Sequence, residues 1–334
     1  MENYLTPLET VNMSELFDKA YLPKPTIIEG MLYAGTYLFA GAPKLGKSYF
    51  MLQLAYHVSM GKDLWGCKVN AGAVLYLALE DDFRRLQDRL YRMFGTESAS
   101  NLFMATSSNQ LGYGLLEQIQ VFLNDHPAVS LVIVDTLQMV RQEDSDKYSY
   151  SKDYEVIKAM KEFSDANRIC LMLVHHTRKQ QADDKFEMIS GTNGLMGAAD
   201  AAFLMHKEKR SSASAVLDIS GRDQPDQRIY LTRDLETLAW ELDRVEANCY
   251  APKPEPVLEA ISEFITSKHQ DWSGTATELI EELKLDIKPN ALSAKLNINA
   301  SRLHYICVPI RLMSERKNYD TRCNRKETWN DSNL

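Results

Sequence analysis

The chain has 334 residues, 45% of them apolar, which is enough to bury a sizeable core and exceeds the length of one usual domain. A net charge of −8 and a pI near 5.5 exclude a surface coated in bases for non-specific nucleic-acid binding, so any such contact must be local. The 5 cysteines are scattered without a CxxC spacing, no basic region precedes an apolar stretch at the N-terminus, and no run of about 18 apolar residues occurs; together these predict a reducing, cytoplasmic setting and no membrane span.

Residues 1–30 carry Pro23 and Pro25 in a mixed polar composition and predict an arm leading into the first strand. From residue 31 the texture changes. Short apolar, β-rich runs at 37–40, 73–79, 102–106, 131–134 and 169–174 alternate with helical patterns at 47–60, 82–94, 115–124 and 154–167. Strands that are apolar nearly throughout and alternate with helices predict an α/β fold with a parallel sheet covered on both faces. After Gly197 strand follows strand, at 201–206, 215–220, 228–232 and 238–242, which predicts an antiparallel extension of that sheet. Pro252, Pro254 and Pro256 then halt regular structure, so residues 31–248 are read as the main domain and 249–256 as a linker. Residues 257–334 form a small domain with predicted helices at 257–267, 275–284 and 290–305 and a strand at 306–312.

The main domain carries Gly41-Ala42-Pro43-Lys44-Leu45-Gly46-Lys47-Ser48 between an apolar strand and an amphipathic helix. The glycines let the backbone wrap a phosphate with its amides pointing inward, Lys47 neutralises the outer phosphates, and the Ser48 hydroxyl ligates Mg2+. The helix N-terminus, which begins Lys47-Ser48-Tyr49, adds its positive end, and Tyr49 is counted with the nucleotide-binding set. Leu131-Val132-Ile133-Val134-Asp135 has the form of the buried strand whose terminal carboxylate holds the magnesium shell. Apolar runs ending in aspartate are common, and it is the pairing with the loop that singles out Asp135. Glu80 ends the strand at 73–79 and is the candidate to activate water, although it also fits the cap of the next helix, to which Asp81 and Asp82 are assigned. His175 and His176 close the strand at 169–174, where a γ-phosphate sensor, a structural pair and part of a zinc site are the competing readings.

With these four motifs in this order, residues 25–245 resemble the RecA-like ATPases, and within them the RepA-type hexameric replicative helicases of plasmids and mobile elements. The resemblance implies ATP and Mg2+ as ligands, with Lys47 and Ser48 on phosphate and metal, Asp135 on the metal, Glu80 as catalytic carboxylate and His176 as sensor. It also implies a homo-oligomeric, hexameric ring in which a neighbour's arginine completes each site. Arg222, in Gly221-Arg222-Asp223, is the finger candidate, with Lys209 and Arg210 as alternatives. In the family two channel loops touch single-stranded DNA. The matching stretches here, 141–153 and 178–194, place Arg141, Lys179 and Lys185 among the bases that would meet phosphate, with Glu143, Asp144, Asp183 and Asp184 interspersed.

The small domain resembles the winged-helix modules at the ends of phage and plasmid helicases and primases. Lys295, Arg302, Arg311 and Arg316 are its candidate DNA contacts, and such modules equally dock proteins, here a replication initiator or primase. The function implied is an ATP-dependent helicase or translocase acting in replication of a mobile element. Two other readings stay open: an ATP-switched regulator or loader that finds DNA or a partner through its tail, and a recombination or repair ATPase that forms filaments.

Overall fold

Short apolar segments that alternate with helices fold here into one broad sheet with a helical layer on each face. The computed structural model describes residues 8–141, 150–177, 185–189, 193–207, 212–247, 255–268, 272–300 and 310–312. The chain forms two compact units, Lys24–Tyr250 and the combination of Met1–Pro23 with Ala251–Leu334.

In chain order the first element is α1 (Met13–Phe17), which a reciprocal capping box between Asn12 and Glu15 opens. The larger unit then runs through β1 (Thr26–Ile28), β2 (Leu32–Tyr33), β3 (Gly35–Gly41), α2 (Lys47–Met60), β4 (Ala73–Ala78), α3 (Phe83–Phe94), β5 (Leu102–Ala105) and α4 (Leu115–Asp125). It continues with β6 (Val129–Asp135), α5 (Leu137–Val140), α6 (Tyr150–Asn167), β7 (Cys170–His176), a 3-10 turn (Lys185–Met188) and α7 (Asn193–Ala198). Four strands close it: β8 (Ala201–His206), β9 (Ser214–Gly221), β10 (Gln227–Arg233) and β11 (Trp240–Ala247). The predicted helix at 47–60 keeps its limits because Gly46 and Gly61, both in left-handed conformations, bound it. The helix predicted from 154 begins at Tyr150, and the strand predicted from 238 begins at Trp240, since Leu238 has a φ of 61° in the turn before it.

The strands form a 9-stranded sheet in the order β11-β10-β9-β8-β3-β7-β6-β4-β5. Five of them, β3 to β7, pair in parallel, and β8 joins them in parallel beside β3, so the antiparallel extension starts at β9 and not at residue 201 as expected. Side chains alternate across the sheet. One face carries Tyr76, Ile133, Met172, Val174, Phe203, Leu217 and Leu231 against α2 and α3. The other carries Leu77, Val132, Val134, Leu173 and Leu204 against α4, α5, α6 and α7. Helix α2 is buried on nearly all sides, from Phe50 through Val58, and so is held as rigidly as the strands it covers.

In the smaller unit α8 (Pro256–Lys268), β12 (Trp272–Gly274), α9 (Ala276–Leu283), α10 (Pro289–Ile298) and β13 (Ile310–Leu312) follow one another. Leu258, Ile261, Ile265, Leu279, Leu292 and Leu296 make its core, and β12 pairs in parallel with β13. Helix α1 belongs to this unit, where the Asn297 side-chain amide donates to the Phe17 carbonyl at 3.1 Å. The predicted third helix of this unit ends at Ile298, and 301–309 lie outside the described residues. Among the described residues no helix is long and apolar enough to cross a membrane.

Candidate active site

Four adjacent strands, β3, β7, β6 and β4, end side by side, and their register sets Gly41 next to His176 and Ala78 next to Asp135. Period-two alternation decides which side chains meet there. Tyr76 and Ala78, Ile133, and Met172 and Val174 face α2, so Glu80, Asp135 and His176 continue those rows on the same face. The neighbouring His175 is consequently buried on the opposite side of the sheet, and the two histidines do not act together as a metal pair.

Between β3 and α2 the backbone turns through left-handed conformations at Lys44 (φ 63°) and Gly46 (φ 106°). Such turns direct successive amides into a concavity that takes an anion. Lys47 is only 6% exposed, and its ammonium donates to the Gly41 carbonyl at 2.9 Å, to the Ala42 carbonyl at 3.1 Å and to His176 Nδ1 at 3.1 Å. Burial pushes the Lys47 ammonium down to about 8, although Asp135 and Glu80 pull the other way. An ammonium has no lone pair, so His176 Nδ1 must be the acceptor and the ring proton sits on Nε2. Burial and then the Lys47 charge lower the His176 pKa, which keeps the ring neutral. Its Nε2 lies 3.8 Å from Glu80 Oε1.

Glu80 is exposed, and its Oε1 accepts from the Thr136 hydroxyl at 2.9 Å, which fixes the carboxylate while leaving it open to solvent. Asp82 is the N-cap of α3, whereas Asp81 turns aside to pair with Arg85 at 3.0 Å and Arg89 at 2.5 Å. Of the three acids after β4, only Glu80 is therefore directed at the site. Asp135 is 5% exposed and takes a 2.7 Å hydrogen bond from the Tyr76 hydroxyl and another from Ser48. Burial raises its pKa, and those two neutral donors only partly offset that. A buried carboxylate holding the serine hydroxyl at the head of α2 fits Mg2+, which takes hard oxygen ligands and keeps most of its water.

Arg222 follows β9 at the opposite end of the sheet, because Gly221 pairs with Ala201 at the start of β8. Its guanidinium donates to the Gly197 carbonyl, and its amide donates to the Asp200 carbonyl at 3.0 Å. The 8-residue β9 separates it from the phosphate end of its own sheet by roughly 25 Å, at ~3.3 Å per residue. Of the candidate DNA contacts, Arg141 ends α5, and Lys185 lies in the 3-10 turn with its Nζ 3.3 Å from His206 Nε2. Lys295 is ion-paired with Glu255. Arg311 lies in β13, and Lys179, Lys209, Arg210, Arg302 and Arg316 fall outside the described residues.

A family model described as AAA domain matches residues 5–182, more than half of the 334 residues. The chain belongs to the AAA domain family. Among solved structures, the AAA domain protein is similar to an isolated ATPase domain at 16% identity and a TM-score of 0.52, over 62% of this chain and 84% of that one. It is also similar to a chain from the structure of a DnaB-like replicative helicase and its interactions with primase, at 16% identity and a TM-score of 0.51. That match covers 62% of this chain but 57% of the other, so the protein spans little more than half the length of that relative. No curated protein matches the sequence. The fold of the AAA domain protein is thus that of a RecA-like P-loop ATPase.

Proposed function

We infer that the protein hydrolyses ATP and uses the energy to move along single-stranded DNA, as a helicase-type motor of the RepA kind working in a ring of six copies. The observation that carries the reading is the line Lys47, His176, Glu80. The phosphate-loop lysine already touches the group at the end of β7, and that group faces the open carboxylate at the end of β4. The likeness of the fold to that of a DnaB-like replicative helicase supports the choice of motor.

In this reading Lys47 exchanges its two carbonyls for the outer phosphates, and His176, losing its donor, reports that change to β7. Glu80, held by Thr136, orients water and takes its proton. Mg2+ between the phosphates and the Ser48 hydroxyl supplies charge neutralisation. Asp135 keeps that hydroxyl in place. Arg222 lies too far from its own phosphate loop to serve it, so its role is in the neighbour's site. Arg141 and Lys185 meet DNA from the loops after β6 and β7, and the C-terminal unit, read as a winged helix, adds contacts to DNA, an initiator or a primase.

The test is steady-state ATP hydrolysis with and without single-stranded DNA. DNA raises the wild-type rate, Lys47→Ala abolishes it, and Glu80→Gln lowers it by ~10²- to 10⁴-fold while ATP still binds. A wild-type rate indifferent to DNA would sink the motor and leave an ATP-switched regulator or loader in its place.

A further inference from the structure

On the other side of β3 from Glu80, Asp135 and His176, the ends of β8, β10 and β11 build a second cluster against the same helix. Arg233 and Trp240 are partners across β10 and β11, and alternation puts both, with Lys207 just past β8, on the face that carries α2. Trp240 is wholly buried and fixed on three sides. Its backbone amide and carbonyl are held by the Gln53 side chain at 2.8 and 2.9 Å, its carbonyl also accepts from the Trp65 indole at 2.8 Å, and its own indole donates to the Gly46 carbonyl at 3.3 Å. The hairpin is thereby clamped to the head of α2. A Cβ on Gly46 would meet Trp240 at 3.2 Å and the Arg233 guanidinium carbon at 3.4 Å.

The cations in this cluster differ in one respect. Arg89 packs over the Tyr49 ring at 5.2 Å, but its charge is matched by Asp81 at 2.5 Å. Arg233 packs over the same ring at 4.6 Å, and its Nε donates to the Leu238 carbonyl at 3.2 Å. Lys207 donates to the Ser212 carbonyl at 2.7 Å and stands 5.7 Å from the Trp240 ring. Among the described residues no carboxylate pairs with Arg233 or Lys207. Burial lowers the pKa of both, and they also repel one another or neighbouring arginines. Two cations are held positive at the head of α2, with no anion among the described residues of this unit to answer them.

Position along the helix indicates which part of a ligand they would meet. Lys47 and Ser48 take the outer phosphates, and the reactive groups on β7, β6 and β4 lie on the γ-phosphate side. Tyr49 is the next residue of the first turn, and Arg233 and Lys207 approach it from the opposite flank of β3. We propose that Arg233, Lys207 and Tyr49 form the nucleoside-side subsite, with the two cations binding the α-phosphate of a nucleoside di- or triphosphate in the same subunit. This rests on the reading of the phosphate loop as a nucleotide site. The planar guanidinium on the Tyr49 ring presents its terminal nitrogens to two phosphate oxygens, while the lysine acts as a point charge.

The experiment is displacement of a fluorescent ADP from the full chain by ADP and by pyrophosphate, which lacks the nucleoside end. Arg233→Ala weakens ADP by ~10-fold or more, the scale of a charge-assisted hydrogen bond pair, while pyrophosphate affinity stays within about twofold of wild type. Lys207→Ala moves ADP in the same direction by less, and it retains the fold should Arg233→Ala lose it. Unchanged ADP affinity in both variants overturns the assignment, as does an equal loss for ADP and pyrophosphate, which would place the cations on the outer phosphates or in the scaffold. A wild-type chain that binds ADP in neither assay removes the nucleotide reading itself, a result distinct from a subsite failure in a chain that binds.

Discussion

Two buried aspartates sit at opposite ends of the same sheet and live in opposite surroundings. Asp200, before β8, is 9% exposed and takes the Thr36 amide at 2.9 Å, the Lys161 ammonium at 2.6 and 2.7 Å and the Lys24 ammonium at 3.2 Å. Burial alone would raise its pKa, but Lys161, the Thr36 amide and Lys24 together bring it below the ordinary value. Asp135, at the phosphate end, is buried as deeply and receives only the hydroxyls of Tyr76 and Ser48. The saturated carboxylate ties β3, α6 and β8 together. The undersupplied one is left with capacity for a metal shell, and the same contrast marks Arg233 and Lys207 against the paired Arg89. In this protein, unanswered buried charge gathers at one end of the sheet.

Removing each aspartate tests that contrast. Asp200→Ala leaves Lys161 half-buried beside a cavity and costs about 3–5 kcal/mol of unfolding free energy, read by urea denaturation. A loss under about 1 kcal/mol would erase the distinction between the two ends. Asp135→Ala lowers ATP turnover by ~10²- to 10³-fold, comparable to losing a preorganised polar group at a reacting phosphate, yet shifts stability by no more than about 1 kcal/mol. Stability loss as large as for Asp200 would make Asp135 a scaffold residue.

The pH dependence of stability sharpens the case for Asp200. A carboxyl whose folded pKa lies below its unfolded value contributes stability that is fully present above the unfolded value, about 3.9, and is lost as pH falls through the folded one. The stability gap between wild type and Asp200→Asn is therefore constant from neutral pH down to about 5 and closes below about 4. A gap unchanged into that acid range would show that the ion pairs contribute nothing. The smallest effect is expected for Tyr76→Phe, which takes one of two donors from Asp135 and costs about 1 kcal/mol. Thermal unfolding measures it, and a neutral result would mean that water replaces the phenol.

Much of this was legible because it is local. The glycines flanking α2, the apolar strands and the acids or histidines at their ends are features of short windows, and a sheet of adjacent parallel strands then brings Lys47, Glu80, Asp135 and His176 to one end. Asn12 and Glu15 spelled a capping box within residues read as an unstructured arm, a signal that was present and passed over. The short strands β1 and β2 were missed because two or three residues carry no period. Asp200 accepts from Thr36 across 164 residues, and Trp240 reaches Gly46 across 194, so no local pattern announces either contact. Alternation also separated His175 from His176, which a linear reading kept as a pair.

The clamp of Trp240 on Gly46 sets a timetable for synthesis. A nascent chain released from the ribosome tunnel through residue 176 already owns Lys47, Glu80, Asp135 and His176, but the wall behind its phosphate loop is still being translated. Gln53 and the Trp65 indole wait without the backbone groups they hold in the finished protein. The loop can settle against its clamp only once the last strand of the sheet has emerged, so a truncated product ending before residue 240 would carry every reactive side chain and lack the wall that seats them.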